Sequence, residues 1–265
     1  MTVFSELLRN RHIAFFLARR EVERRYRGSF LGIVWIFLPS LLTIAIYSFV
    51  FSVIFVSRWP GLATDRIDAF AVVLFAGLSL YGLASECWSR AATLIVDNAT
   101  YVTKVVFPIW ILPVSLILAA SFQLLVNLAI LLVLRLMVFG IPSATILVLP
   151  LIIVPYFMLV LGVTYIFATL GTFVRDLSQI MPIALTALLF LSPILYPVSN
   201  TPASIRILFN LNPMTIYFED LRAVFFADQW PNFFNLAVAS IVAAVVLYIG
   251  IAVFRRGSRA FADVL

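Results

Sequence analysis

The sequence predicts an all-α membrane protein, and three observations support this fold class. Of the 265 residues, 64% are hydrophobic and only 11% are charged, whereas soluble domains carry roughly 25% charged residues. The uncharged stretches are long enough for helices, since a transmembrane helix needs about 20 apolar residues. Strands of a membrane barrel would instead alternate in polarity over about ten residues. We therefore expect one helical transmembrane domain that occupies residues 1–265.

The arginine-rich segment 1–29 is predicted to form an amphipathic helix that lies on the cytoplasmic membrane surface. One apolar face of this helix is formed by residues at helical spacing, namely Ile13, Phe16 and Leu17. Two pairs with i,i+4 spacing are predicted to form ion pairs along the helix, Glu21 with Arg25 and Glu23 with Arg27. The alternative interpretation is that the arginines only set the orientation of the protein.

Six segments are predicted to cross the membrane, and charged or turn-forming residues separate them. Gly140-Ile141-Pro142-Ser143 divides an uncharged stretch that is too long for one crossing. The fifth span is expected to end irregularly at Ser192-Pro193. Residues 198–230 are then expected to form short surface helices in a periplasmic, gate-like segment, because no apolar run among them is long enough to cross. The predicted spans are 30–57, 69–89, 108–134, 144–174, 177–197 and 231–254.

The distribution of Lys and Arg residues predicts which way the protein faces. Of the 18 such residues, 13 lie in segments on one side of the predicted spans and 5 on the other. The positive-inside rule therefore places both termini in the cytoplasm. Because most of these residues flank the predicted spans and set the orientation, the net charge of +6 does not indicate a nucleic-acid partner.

The sequence lacks the motifs of nucleotide hydrolysis and of the common membrane enzymes. It has no Gly-x-x-x-x-Gly-Lys-Ser/Thr loop, and no glycine-rich stretch precedes Lys104, its only lysine. A single Cys excludes an internal disulfide and a thiolate metal cluster. We therefore predict that this chain has no catalytic residues and binds no metal or cofactor itself. A membrane enzyme is disfavoured for the same reason.

Ionisable residues inside the predicted spans are too few to favour a carrier driven by protons or sodium. Glu86 lies one turn before Arg90, near the cytoplasmic end of its span, and is predicted to pair with it. Arg135 is predicted to extend outward from the end of the third span, with its charge in water. A stand-alone flippase or secondary carrier is therefore disfavoured.

Aromatic residues make up 15% of the chain, and those inside predicted spans are candidates for lining a channel. Sugar rings stack on aromatic side chains without being held at one position, which suits a polymer that slides. The alternative role of such residues is packing or lipid contact. The candidates are Trp35, Tyr47, Phe51 and Tyr165.

Five short stretches of the chain occur in an order that resembles one family of membrane proteins. The first is Arg25-Tyr26-Arg27-Gly28-Ser29-Phe30-Leu31-Gly32-Ile33-Val34-Trp35 with Pro39 after it, and the second runs from Asn98 to Pro108. The later ones are Arg175-Asp176-Leu177, Ser192-Pro193-Ile194-Leu195-Tyr196 and Asn212-Pro213. This ordered set resembles the polysaccharide export permeases of type-2 ATP-binding-cassette exporters, which include O-antigen, capsule and teichoic-acid permeases. The resemblance covers nearly the whole chain.

The resemblance implies a partner that supplies energy and a cargo that is linked to lipid. It implies a homodimer with a channel, and a separate pair of cytoplasmic subunits that bind ATP and Mg. The cargo would be an undecaprenyl-linked polysaccharide that crosses the bacterial inner membrane towards the periplasm. An exporter of teichoic acid or of a small lipophilic compound, with the same architecture, is the alternative.

The resemblance also implies roles for four groups of residues. The loop after the second span would couple to the ATPase, rather than serve as a plain connector, through Asp97, Asn98, Tyr101, Lys104, Phe107 and Pro108. A lipid pyrophosphate would meet guanidinium groups, whose alternative role is topology, at Arg24, Arg25 and Arg27. A cytoplasmic turn would use Arg175 and Asp176 either to pair with each other or to contact the ATPase. The periplasmic exit would involve Pro193, Tyr196 and Pro197.

Overall fold

The computed structural model describes residues 9–26, 34–54, 69–103, 107–198, 201–202 and 204–265, and every regular element in these ranges is helical. This confirms the predicted all-α class. The helices are α1 (Arg11–Tyr26), α2 (Val34–Ser48, continued by a π-helical stretch Phe49–Ile54), α3 (Ala69–Ala91), α4 (Leu94–Asp97), α5 (Ala99–Thr103), α6 (Ile111–Val138), a 3-10 turn (Ala144–Val148), α7 (Leu149–Phe173), α8 (Leu177–Phe190), α9 (Arg206–Leu211), α10 (Met214–Phe225), α11 (Phe233–Gly257) and α12 (Phe261–Val264).

Within the described ranges, five helical segments are long and apolar enough to cross a membrane. They are Val34–Phe51, Ala69–Ala91, Ile111–Val138, Ala144–Phe173 and Phe233–Gly257. Helix α8 has 14 residues, which gives a length of about 21 Å against a hydrocarbon core about 30 Å thick. The chain continues from it as the irregular segment 191–197, because Pro193 has no N–H to extend a helix. A fifth crossing made of α8 and this segment, and hence the count of six, stays a prediction.

Helix α3 forms the centre of the bundle. Most of its side chains are buried, and it packs against α6 and α7. The hydroxyl of Tyr156 donates a hydrogen bond of 2.6 Å to the carbonyl of Leu80, and the indole of Trp88 donates one of 3.1 Å to Val160. These bonds satisfy aromatic donors that would otherwise be unpaired in an apolar interior. They fix the orientation of α7 against α3.

Two glycines allow α7 and α11 to pack closely. A Cβ atom on Gly250 would lie 2.2 Å from the carbonyl oxygen of Gly162, a distance that no side chain tolerates. Lipid tails are as apolar as leucine, so helices in a membrane associate largely through close van der Waals packing at small residues. The contact attaches the C-terminal span to the bundle.

Helices α2 and α8 are the least buried of the long apolar helices. Helix α2 contains one buried residue, Ser40, which donates a hydrogen bond of 2.6 Å to the side-chain oxygen of Asn127 on α6. The amide of Gln123 joins this cluster by donating to Ser40 at 3.1 Å. In α8, only Met181 and Leu185 are buried. Both helices therefore present wide apolar faces that other parts of the described chain do not cover.

Helix α1 packs against α6 through small residues, and two residues of the face predicted to meet the membrane, Ile13 and Phe16, lie outside this contact. Ala14 and Ala18 are buried, whereas Ile13 is 36% and Phe16 is 63% exposed. Alanines allow close packing on α6, and they place the larger apolar side chains on the outside of the bundle. The position of α1 at a membrane surface stays a prediction.

Helix α10 is packed into the bundle, although the sequence predicts a helix resting at its surface. Tyr217, Phe218, Leu221 and Val224 are each 0% exposed, and α10 contacts both α3 and α7. The spacing of these residues gives α10 one wide apolar face, which is the reason for its burial. The hydroxyl of Tyr217 also donates a hydrogen bond of 2.9 Å to Ala239 of α11.

Candidate functional site

The predicted coupling loop folds into α4 and α5 directly after α3. Thr93 donates a hydrogen bond of 2.7 Å to the carboxylate of Asp97, and the side-chain amide of Asn98 donates one of 2.8 Å to the carbonyl of Leu94. These two predicted coupling residues therefore stabilise the shape of the loop itself. The ring of Tyr101 lies 5.1 Å from that of Phe107, and Pro108 accepts a hydrogen bond from the main chain of Ile111, which begins α6. Lys104 lies outside the described residues.

A cavity of about 210 Å³ separates this loop from α1. It brings together residues from two groups that the sequence assigns to different roles, the coupling loop and the phosphate-binding arginines. The hydroxyl of Tyr101 accepts a hydrogen bond of 3.3 Å from Arg20 across the cavity. The polar residues that line the cavity are Arg20, Glu21, Arg24, Arg90, Thr93, Asp97, Asn98, Tyr101 and Ser115.

Ion pairs connect α1 to the end of α3 beside this cavity. Glu21 accepts a hydrogen bond of 2.6 Å from Arg90, and Glu86 accepts one from Arg25. Two of the three pairs predicted within a helix are also present, with N–O distances of 3.9 Å for Glu21–Arg25 and 3.5 Å for Glu86–Arg90. Burial raises the pKa of the Glu21 carboxyl, but the charges of Arg90 and Arg24 outweigh this effect and hold its pKa below the ordinary value.

The predicted phosphate-binding arginines differ in how far they are engaged. Arg24 pairs with Glu21 at 3.0 Å, yet its side chain is 73% exposed. Arg25 is directed to Glu86, and its side chain is 27% exposed. Arg27, and with it the predicted pair Glu23–Arg27, lies outside the described residues; Glu23 pairs with Arg19 at 2.7 Å. Arg24 is therefore the described member of the group that remains most accessible to a ligand.

Arg175 and Asp176 form the turn between α7 and α8. Both residues are exposed, and the structure records no ion pair between them. The main-chain carbonyl of Asp176 accepts hydrogen bonds from the main-chain N–H groups of Gln179 and Ile180. These bonds form the first turn of α8. Mutual pairing, one of the two predicted alternatives, is thus not observed.

The predicted exit residues lie in the segment after α8, and α10 holds this segment in place. The buried guanidinium of Arg222 donates hydrogen bonds to the carbonyls of Pro193 and, at 3.0 Å, Ile194. Tyr196 donates to the carbonyl of Phe190, and its ring packs at 5.8 Å against Phe209. Pro197 is buried.

Two of the family-like stretches contact each other at this end. Asn212 donates an amide hydrogen bond of 2.9 Å to the hydroxyl of Ser192, and its side-chain oxygen accepts one of 2.9 Å from the main chain of Met214. The Ser192–Tyr196 stretch and the Asn212-Pro213 stretch are therefore parts of one structural unit.

Arg135 is buried, and the prediction that it extends outward into water is wrong. The residue is 1% exposed. It donates hydrogen bonds of 2.7 Å to the carbonyls of Phe225 and Gly140, and bonds of 3.1 and 2.9 Å to the carboxylate of Asp228. The loop that follows α10 covers the end of α6, so the guanidinium finds its partners inside the protein.

The predicted channel aromatics do not share one environment. Trp35 is 43% exposed on α2, and the rings of Tyr47 and Phe51 stack at 6.1 Å in the same span. Tyr165 is 1% exposed, and its hydroxyl donates a hydrogen bond of 2.8 Å to the carbonyl of Trp110. In this conformation Tyr165 is a core residue that a cargo cannot reach, whereas the aromatics of α2 are more accessible.

Arg135 and Arg222 are the structural residues that sequence reasoning missed. The available signal was their position: Arg135 is the only charged residue of α6, and Arg222 is the only cation of α10. A charge in an apolar stretch either reaches water or finds buried partners. The sequence does not identify the carbonyls that these arginines bind.

Comparison with known proteins gives a consistent result along the whole chain. Residues 14–226 match the family model described as "ABC-2 type transporter". The chain is 29% identical over 260 residues, covering 97% of each chain, to the O-antigen export system permease protein RfbA of Myxococcus xanthus. It is 24% identical over 251 residues, covering 94% of this chain and 93% of the relative, to a protein of the same name from Klebsiella pneumoniae.

Proposed function

Because the chain belongs to the ABC-2 type transporter family, we propose that it is the permease through which a polysaccharide of the O-antigen type is exported. The chain is a multi-pass membrane protein with helices suited to crossing the bilayer. The observation that carries the proposal is the similarity to O-antigen export permeases over 97% of both chains. A match of this extent covers the predicted spans, the coupling loop and the exit segment together.

The energy for export is proposed to come from a separate pair of ATP-binding subunits. The sequence has no phosphate-binding loop of its own. The surface of α4 and α5 supports contact with such a partner, because Val96 and Asp97 are exposed while Leu94 and Ile95 are buried in the bundle. A displacement of this loop would act directly on α3, the most buried of the candidate membrane spans.

The cargo is proposed to be linked to an undecaprenyl pyrophosphate, which Arg24 would contact beside the cavity. Arginine suits phosphate because its guanidinium donates two parallel hydrogen bonds. Arg24 is exposed and lies on the cavity lining. Its neighbours Arg20 and Arg90 add positive charge at the same place.

A homodimer in the bacterial inner membrane, with both termini in the cytoplasm, completes the proposal. The uncovered apolar faces of α2 and α8 support a partner chain there, and Ile183 on α8 is 73% exposed. Replacing Ile183 with Cys in a C87A background should give a disulfide-linked dimer in membranes if α8 of two chains meet. Monomer alone after oxidation would place α8 against lipid instead.

The function is tested by deleting the gene and analysing surface and membrane-bound polysaccharide. Loss of the permease should abolish surface O-antigen and cause lipid-linked polymer to accumulate on the cytoplasmic side. Complementation with this chain should restore both. Unchanged surface polysaccharide would overturn the proposal, and loss of a teichoic acid or of a small lipophilic product would identify the alternative cargo.

A further inference from the structure

The same short charge pattern occurs on α1 and on the end of α3. Glu21 and Arg25 are separated by four positions on α1, and Glu86 and Arg90 are separated by four positions on α3. Where the helices meet, each glutamate bonds the arginine of the other helix, Glu21 with Arg90 at 2.6 Å and Glu86 with Arg25. The two Glu-x-x-x-Arg patterns are therefore complementary when they run in opposite directions.

These pairs are partly protected from water. The side chains of Glu21 and Glu86 are 21% and 24% exposed, and those of Arg25 and Arg90 are 27% and 34% exposed. The ion pair Arg19–Glu23 on the same helix is by contrast 70% and 60% exposed. Fully exposed pairs contribute little, because water and salt screen them, whereas partly buried pairs retain more of their attraction. The lowered pKa of Glu21 agrees with an environment dominated by its arginine partners.

The ion pairs lie at the point where α3 passes into the coupling loop. Thr93 lies three positions after Arg90. Its hydroxyl donates a hydrogen bond of 2.7 Å to the carboxylate of Asp97 inside the loop. On α1, Arg20 lies directly before Glu21 and donates a hydrogen bond of 3.3 Å to the hydroxyl of Tyr101 on α5. Helix α1 is thus bonded to the end of α3 twice and to the coupling loop once, and the buried Ala14 and Ala18 pack it against α6.

We propose that Glu21, Arg25, Glu86 and Arg90 are positioning residues that make α1 move as one body with the coupling loop during transport. The inference rests on the proposed function, since an ATPase partner must act on the loop. A displacement of α4 and α5 passes through Arg90 and Glu86 to α1. Helix α1 then carries Arg20 and Arg24 with it, so that the side of the cavity formed by α1 and the coupling loop keeps its shape.

Reversing the charges of Glu86 and Arg25 tests whether the ion pairs between α1 and α3 are needed for export. The variant E86R places three arginines beside one glutamate, and we expect export to fall about fivefold or more, the lower range of coupling between sites. The ATPase partner should still copurify and hydrolyse ATP, because the loop surface is unchanged. The double variant R25E/E86R restores opposite charges and should recover most of the export, because Arg25 is directed to Glu86, and Arg24, rather than Arg25, lines the cavity. The matched control E23R makes the same change in an exposed pair on α1 and should export normally.

A distance measurement tests the same inference without depending on the cargo. Spin labels at H12C and T100C, in a C87A background and in complex with the ATPase, report on α1 and on α5 of the coupling loop respectively; both positions are exposed. We expect one narrow distance that is the same with and without bound ATP, and a broadened distribution in E86R. A distance that changes on ATP binding in the parent protein, or no recovery in R25E/E86R, would overturn the proposal. Failure of polysaccharide export by the parent protein would instead count against the proposed function.

Discussion

One terminal guanidinium nitrogen of Arg135 on α6 donates hydrogen bonds of 3.1 and 2.9 Å to the two carboxylate oxygens of Asp228, in the loop after α10. The carboxylate also accepts a hydrogen bond of 3.0 Å from the main chain of Ser143, which precedes the 3-10 turn before α7. Asp228 has a φ of 53°, a conformation that Asp tolerates better than most residues. One carboxylate therefore joins three segments at the predicted periplasmic end of the bundle.

Removing this carboxylate charge should destabilise the exit end. In D228N the buried Arg135 keeps its charge but loses its ionised partner, and we expect a loss of about 1–3 kcal/mol. The lower part of that range is favoured, because Asp228 is 42% exposed and water can replace some of the interaction. Thermal unfolding of the purified protein in detergent measures the effect. The control D263N changes an exposed carboxylate on α12 and should leave the unfolding midpoint unchanged.

A methyl group at Gly77 should disturb the segment that carries the predicted exit residues. A Cβ atom there would lie 2.6 Å from a terminal guanidinium nitrogen of Arg222. That nitrogen is bonded to Ile194, so G77A should displace Arg222 and lower both stability and export. The matched control is G82A on the same helix, where a Cβ atom meets nothing within 4 Å. G82A should be neutral or stabilising by up to about 1 kcal/mol, because alanine favours helix. Equal behaviour of the two variants would contradict the role of Arg222.

The stability of the protein should increase as pH falls from 7 to 5. Burial raises the pKa of Asp220 to about 6, with a further contribution from Glu219 and an opposing one from the main-chain N–H of Asn232. A carboxyl whose pKa is higher in the folded than in the unfolded state binds its proton preferentially in the folded state, so protonation stabilises the fold. The gain begins near the folded pKa and is complete below the unfolded one, about 3.9 for Asp.

The variant D220N should flatten this pH dependence. The lowered pKa values of Glu21 and Asp228 act in the opposite direction, but their effect begins only as the pH approaches the ordinary carboxyl pKa values of about 4. Unfolding midpoints measured between pH 5 and 7 therefore report mainly on Asp220. A parent protein whose midpoint does not change in this range would contradict the burial of Asp220.

The sequence predicts the long helices well because the signal for a membrane span is local. An uncharged run of sufficient length must satisfy its main-chain hydrogen bonds internally, and a helix does so without help from distant residues. The pairs Glu21–Arg25 and Glu86–Arg90 were predictable for the same reason, since they lie four positions apart on one helix. Their stronger contacts across helices were not, because the antiparallel register of α1 and α3 is a property of tertiary packing.

The buried arginines and α10 show the limit of local reasoning. The end of α6 resembles a helix whose arginine reaches water, and only the loop around Asp228 makes it a buried site. Helix α10 is too short to cross the membrane, which favours a position at the surface. Its apolar face nevertheless packs against α3 and α7. In both cases, residues far apart in the sequence decide the outcome; for Arg135 these are Phe225 and Asp228, which lie 90 and 93 positions away.

Transport in proteoliposomes that contain this chain and its ATPase partner tests the central claim most directly. Lipid-linked O-antigen is supplied on the side exposed to ATP, and its arrival on the other side is measured with a sugar-specific probe. We predict transport with ATP and the complete complex, and none when either ATP or the ATPase is omitted. Transport by this chain without ATP or its partner, or none with all components present, would contradict the account.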